Sequence, residues 1–227
     1  MKMNKGFTLA EVLITLGVIG VVAALTLPTL IKEYQKTVLV NQLKHSVSTI
    51  EQGFKKMLAD EGVDSLEDTS YYIKARTELK NGECAVDQYN TDAVCKEFFD
   101  NLKQYFNISD IKDAGEKYIV KNIDGSIADD AWYTSGTKIF FNNGLLMWFY
   151  NINDSRSGIS GLMTIDVNGL KAPNTIGRDI FYFDLGSQGN LKIPDCSHMN
   201  DISDLDTINE PQCSSYWIVT NGWKMDY

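Results

Sequence analysis

The sequence predicts an α+β protein in which one long amino-terminal helix packs on a carboxy-terminal head that contains an antiparallel β-sheet. Three observations predict this fold class. No charged residue occurs between positions 12 and 31. Beyond them, apolar residues recur at spacings of three and four, as on one face of a helix. From position 60 onward, short β-branched and aromatic runs alternate with Asp, Asn, Gly and Ser.

Length and charge limit the classes of function. The chain has 227 residues, of which 44% are hydrophobic, and its formal net charge is -9. This length is enough for one globular head plus an anchor, and the hydrophobic content is too high for intrinsic disorder. Affinity for nucleic acid comes mainly from Lys and Arg. A sequence pI near 4.7 therefore disfavours a general nucleic-acid binder.

The uncharged run predicts a membrane anchor. As a helix, residues 12–31 rise about 30 Å, which is enough to cross the hydrocarbon core of a bilayer. Lys2 and Lys5 precede the run, so the positive-inside rule places the head outside the cytoplasm. A secretory signal peptide cleaved near residues 22–24 is the alternative. Glu11 inside the apolar region and a helical pattern that continues past it favour the anchor.

The residues around Gly6 are more specific than the apolar run. Positions 5–14 read KGFTLAEVLI, with a basic leader that ends in Gly6, then Phe7, and a carboxylate at Glu11. This string resembles the amino terminus of the type IV pilin family, which includes the pseudopilins of type II secretion and competence. The resemblance implies that a prepilin peptidase cuts after Gly6 and converts Phe7 to N-methylphenylalanine. It also makes Glu11 and Pro28 candidate assembly residues in the helix.

Physical chemistry gives Glu11 a role of its own. A carboxylate at membrane depth is costly and normally has a cationic partner. Cleavage after Gly6 would create one, because the methylated amine of Phe7 remains basic. The amine lies about one helical turn from Glu11, so the two can pair within a chain or between neighbouring chains. The other interpretation is a carboxylate at a helix start that reaches the membrane interface and is favoured by the helix dipole.

The sequence predicts three segments, which are a leader at residues 1–6, a helix at residues 7–58 and a head at residues 59–227. One further helix is predicted at residues 93–106, and Asn143-Gly144 predicts a tight hairpin turn. The helix stripe is Leu39, Leu43, Val47, Ile50, Phe54 and Leu58. The predicted strands are residues 118–123, 138–142, 145–150, 162–167, 181–185 and 216–220.

Four cysteines predict structural disulfides in an exported head. Their grouping favours Cys84 with Cys95 and Cys196 with Cys213, although three connectivities remain formally possible. The spacings do not suit zinc, which is usually bound by closer Cys-x-x-Cys pairs. Many type IV pilins carry a disulfide-bounded loop near the carboxy terminus, so the second pair also resembles the family.

A polar turn contains a partial calcium-loop pattern. Asp166, Asn168 and Asp179 are the candidate ligands, and some pseudopilins bind calcium in loops beside the sheet. The other ligands of a complete calcium loop are missing, and Lys171 would oppose a cation. A hairpin loop rich in Pro, Asn and Gly is the favoured interpretation, so the sequence predicts no required cofactor.

The sequence contains no phosphate-binding glycine loop, no His-Glu-x-x-His and no Gly-x-Ser-x-Gly, so we expect no enzyme. We expect a structural subunit of a type IV pilus or a type II secretion-like pseudopilus. Its expected partners are other pilins, the prepilin peptidase, an inner-membrane assembly platform and membrane lipid. The alternatives are a membrane-anchored extracellular enzyme or ligand-binding domain, and a DNA-uptake pseudopilin.

Overall fold

The computed structural model describes residues 8–69, 93–112, 119–128, 137–151, 159–197 and 211–227. The chain divides into two compact units, Met1–Val38 and Leu39–Tyr227. Helix α1, Leu9–Glu61, is continuous over 53 residues and contributes to both units. The predicted long helix is therefore confirmed, and it ends three residues later than expected.

In the first unit, residues 9–38 are helical and their apolar side chains are largely exposed. An 18-residue window of α1 has a mean hydropathy of 2.3 and no buried residue. By length and composition the helix can cross a membrane. Pro28 lies inside the helix, where it removes one backbone hydrogen bond.

In the second unit, α1 ends in a compact cap at Gly62. The Gly62 N–H donates to Ala59 O at 3.3 Å, and the Val63 N–H donates to Leu58 O at 3.1 Å. Gly62 has φ +66°, a left-handed conformation that costs glycine little. Val63 also packs against the core, so this pattern both stops the helix and turns the chain back toward the head.

The predicted stripe of α1 packs into the core of the head. Leu43, Ile50, Phe54 and Leu58 are buried, and Leu39 and Val47 are partly buried against the same cluster. These residues share one broad helical face, on which Val40, Ser46, Gly53 and Met57 are buried as well.

A six-stranded antiparallel sheet forms the other side of this core, with neighbouring strands in chain order. Across it, Ile139, Met147, Ile165 and Phe181 occupy one register row and belong to the cluster that contains the α1 stripe. The predicted antiparallel sheet is thus confirmed. The strands are β1 Ile108–Lys112, β2 Lys138–Phe141, β3 Leu146–Asn151, β4 Ile159–Asp166, β5 Ile180–Gly186 and β6 Leu191–Lys192.

The predicted hairpin turn joins β2 to β3. Gly144 has φ +88°, and its N–H donates to Phe141 O at 3.0 Å. The Asn143 side chain accepts from Leu145 N–H at 3.1 Å. Asn143 and Gly144 therefore close this hairpin as the sequence predicts.

The opposite face of the sheet carries a second, smaller cluster. Leu146, Trp148 and Ile180 come from the strands. Val120 and Ala128 come from a short turn that crosses this face, and Ile176 lies in the loop before β5. The sheet is thus packed on both faces at this end.

The strand predicted at residues 216–220 is wrong, because these residues form the second half of helix α3, Pro211–Thr220. Tyr216, Trp217 and Ile218 have high strand propensity, which tertiary context overrides. Pro211 is the first residue of the helix, a position that proline favours. Cys213 and Ile218 are buried, and α3 contacts β5.

The strand predicted at residues 118–123 is also wrong where the structure describes it. Lys121 forms only isolated bridges, with Ile127 and Thr175. Gly125 reverses the chain, and the Ala128 N–H donates to Val120 O at 3.0 Å.

Two strands were not predicted. Strand β1 is rich in polar residues, and β6 has two residues, so neither has the alternating pattern that marks a strand. Helix α2, Ala93–Leu102, is confirmed but ends four residues earlier than expected. Residues 103–106 instead form a turn that buries Phe106 against Phe54, with ring centroids 5.1 Å apart.

Candidate processing and assembly site

The first described turn of α1 is closed by a reciprocal pair of side-chain bonds between Thr8 and Glu11. The Thr8 N–H and the Thr8 hydroxyl both donate to Glu11 Oε2 at 2.8 Å. The Glu11 N–H donates to Thr8 Oγ1 at 3.3 Å. This is a capping box, and it satisfies backbone donors that a helix start leaves without partners.

The capping box uses only part of the Glu11 carboxylate. Both Thr8 donors reach Oε2, whereas Oε1 accepts no hydrogen bond from any residue that the structure describes. Glu11 is fully exposed along with the apolar residues that follow it. One carboxylate oxygen therefore remains available to a partner that approaches the first turn.

Residues 1–27 match the family model described as the prokaryotic N-terminal methylation motif. The chain carries the type IV pilin and pseudopilin signal. No curated protein and no solved structure matches the chain. The methylation motif is thus what relates this chain to known proteins.

The methylation motif includes Gly6, Phe7 and Glu11. Gly6 and Phe7 lie outside the described residues, so cleavage and methylation there stay predictions. Glu11 lies in the first turn of α1, and Pro28 follows the matched residues directly. The capping box was not foreseen, although Thr8 and Glu11 have the Thr-x-x-Glu spacing that marks one before an apolar run.

In the head, a disulfide joins Cys196 to Cys213, with Cα atoms 5.7 Å apart. Both residues are buried, and Tyr216 and Trp217 pack against them. The bond ties the segment after β6 to the start of α3. Cys84 lies outside the described residues, so the Cys84–Cys95 pair stays a prediction.

The candidate calcium ligands lie together between β4 and β5. The Asp179 carboxylate accepts the Thr175 N–H at 2.6 Å and the Asn174 N–H at 2.8 Å. Asp166 Oδ1 accepts the Asn168 N–H at 3.0 Å. Burial raises the pKa of Asp179, and the backbone donors from Thr175 and Asn174 oppose that rise. Both aspartates thus already organise the loop through backbone N–H groups.

A calcium ion has too few ligands here. Asn168 Oδ1 is buried without a hydrogen-bond partner, but one amide oxygen and two engaged carboxylates fall short of the six to eight oxygens that calcium takes. Over the described ranges, no three His, Cys, Asp or Glu residues form a metal-binding group.

We expect calcium and a chelator to leave the melting temperature of the full chain in detergent unchanged. An ion at about 100 times its Kd would add about 2.7 kcal/mol. That gain would raise the melting temperature by roughly 5–10 °C for a chain of this size. A calorimetric scan decides, with magnesium as the control cation. A calcium-specific rise that disappears in Asp179→Asn would contradict the expectation.

Proposed function

We propose that this chain is a structural filament subunit, either of a type IV pilus or of a type II secretion-like pseudopilus. A prepilin peptidase cuts it after Gly6, and it assembles through its amino-terminal helix. Residues 1–6 are the leader, 7–58 the membrane and spine helix, and 59–227 the head. Before assembly the chain is a single-pass membrane protein with its head outside the cytoplasm, and afterwards it is part of a filament.

The methylation motif is the observation that carries this proposal. The exposed apolar helix that follows supports it, because such a helix suits lipid before assembly and other helices afterwards. The Cys196–Cys213 disulfide suits a head that folds in an oxidising compartment. Loss of Lys2 and Lys5 with the leader changes the formal net charge from -9 to -11.

The two oxygens of Glu11 suit two tasks. Oε2 caps the helix of its own chain through Thr8. Oε1 can accept a hydrogen bond from the methylated amine of Phe7 in a neighbouring copy without breaking that cap. An unpaired charge at membrane depth costs about 2.5–3.5 kcal/mol, so pairing between copies favours assembly with a defined axial offset.

We expect Glu11→Gln to be cleaved and anchored normally but to form far fewer filaments. Glutamine keeps an oxygen that can cap the helix, but it removes the charge that pairs with the amine. Loss of about 2.5 kcal/mol per contact corresponds to a reduction of well over tenfold. Electron microscopy of filaments and the mass of the mature chain are the two measurements.

Thr8→Ala is the matched control. It removes the Thr8 hydroxyl, which makes two of the three bonds of the capping box, and keeps the charge, at a cost of about 1 kcal/mol to the helix start. Filaments that persist in Thr8→Ala and disappear in Glu11→Gln support charge pairing. Normal filaments in Glu11→Gln would contradict charge pairing. If the unaltered chain is processed normally but forms no filaments, a membrane-anchored domain of another function is favoured.

A further inference from the structure

The head carries an exposed apolar corner formed by Ile119, Ile127 and Leu170. Their side chains are 57%, 66% and 61% exposed, and they are the exposed large apolar residues among the described residues of the second unit. Hydrogen bonds hold the two segments together, since Lys121 N–H donates to Asn174 O and Ile176 N–H donates to Lys121 O, both at 2.9 Å. The two segments that carry the corner are therefore joined by their backbones.

Several contacts make this corner rigid. Asp179 holds the loop before β5 through two backbone N–H groups. The Tyr227 hydroxyl donates to Gly177 O at 2.6 Å. On the inner side, Val120 and Ala128 are buried against the sheet. A surface that is already ordered loses little conformational entropy when it binds a partner.

The two segments that form the corner also carry exposed basic residues. Lys121, Lys171 and Arg178 are exposed beside its apolar residues. Asp124 is the acidic residue at the tip of the turn, where its carboxylate accepts the Ser126 N–H at 2.8 Å. Among the described residues 119–128 and 168–178, three exposed side chains are basic and one is acidic, a balance that suits an acidic partner.

The same chain offers an acidic surface where α1 ends. Five of the nine residues 60–68 are acidic, and none is basic. Asp60, Asp64 and Asp68 are exposed, and Glu61 and Glu67 are half-buried. We call residues 60–68 the acidic segment.

The corner and the acidic segment lie at opposite ends of β5. The corner adjoins the start of the strand, where Ile176 bridges to Ile180. The acidic segment adjoins its end, where Leu66 N–H donates to Ser187 O at 2.7 Å. The seven residues of β5 extend about 20 Å, so the two surfaces do not meet within one chain.

We propose that the apolar corner of one copy docks on the acidic segment of the next copy. This rests on the proposed filament function and names the head surfaces that make the contact. Because two different surfaces at opposite ends of β5 meet, the contact is head-to-tail and continues from copy to copy. Such contacts build open helical filaments rather than closed dimers.

Photo-crosslinking in assembled filaments tests the contact directly. A photoreactive benzophenone amino acid in place of Ile127 is expected to link to residues 59–69 of a second full-length copy, identified by peptide mass spectrometry. The same amino acid in place of Gln104, which is exposed outside both surfaces, is the control. Links from position 127 within the same chain, or to another part of a second copy, would overturn the proposal.

Charge exchange tests the electrostatic part. The variants Lys121→Glu with Arg178→Glu, and Asp60→Lys with Asp64→Lys, are each expected to reduce filament number by about tenfold or more. Combining all four restores opposite charges and is expected to recover filaments. Lys103→Glu, at an exposed lysine outside both surfaces, is the control. If the combined variant does not recover filaments, the proposed head contact is wrong and the filament function still stands. If the chain keeps its leader and forms no filaments, both proposals are wrong.

Discussion

Gly6→Val is expected to keep the leader on the chain and to abolish filament formation. The resemblance to prepilins implies a cut between Gly6 and Phe7, which lie within the matched residues 1–27. Glycine has no Cβ, so the backbone at that position can approach a peptidase closely, whereas a branched side chain blocks that approach. Without cleavage no amine forms at Phe7, and Glu11 loses its cationic partner. Intact mass and amino-terminal sequencing measure this directly.

Gly20→Ala is the matched control for processing. An added Cβ at Gly20 meets nothing within 4 Å, so this variant is expected to be cleaved normally. In the unaltered chain the mature terminus is expected to be methylated Phe7. A terminus at Leu25 would restore the signal-peptide interpretation, and an unchanged mature mass in Gly6→Val would contradict processing at this site.

Gly53→Val is expected to destabilise the head by about 3 kcal/mol. Gly53 lies on the buried side of α1, and a Cβ there would overlap the Phe106 ring. That ring cannot move aside freely, because it packs edge-on against Phe54 and Phe141. A loss of this size lowers the melting temperature by roughly 6–12 °C for a chain of this length.

The control places the same substitution in the same helix, at Gly20, where space is open. Gly20→Val is expected to leave the melting temperature of the head unchanged. Adding Phe106→Leu to Gly53→Val makes room and is expected to recover part of the loss, which a double-mutant cycle measures. Equal melting temperatures for Gly53→Val and the unaltered chain would show that the ring accommodates the side chain.

Local patterns predicted the long helix and the hairpin. The helix stripe at spacings of three and four is the face that the structure buries, from Leu43 to Leu58. Asn143-Gly144 predicted a tight turn, because the backbone conformation of such a turn depends on the turn residues themselves. The predicted end of the helix was close but early by three residues, because the cap formed by Gly62 and Val63 depends on backbone geometry.

Local propensity failed at the carboxy terminus. Tyr216, Trp217 and Ile218 favour a strand in isolation. In the fold their segment is held by the Cys196–Cys213 disulfide and by burial against β5, and both contacts come from residues distant in the chain. Only those contacts make the helix the lower-energy choice.

The amino-terminal motif could also be recognised from local sequence. The residues around Gly6, Phe7 and Glu11 are contiguous, and their chemistry depends on their spacing along the chain. The sequence by itself therefore carried the processing signal and the fold class of the head, and it predicted the anchor. The tertiary structure decided how the turn at Lys121 joins the loop before β5. It also decided where the apolar corner lies relative to the acidic segment. Distances across a sheet are set by packing between residues far apart in the chain, so they cannot be predicted from spacing along the chain.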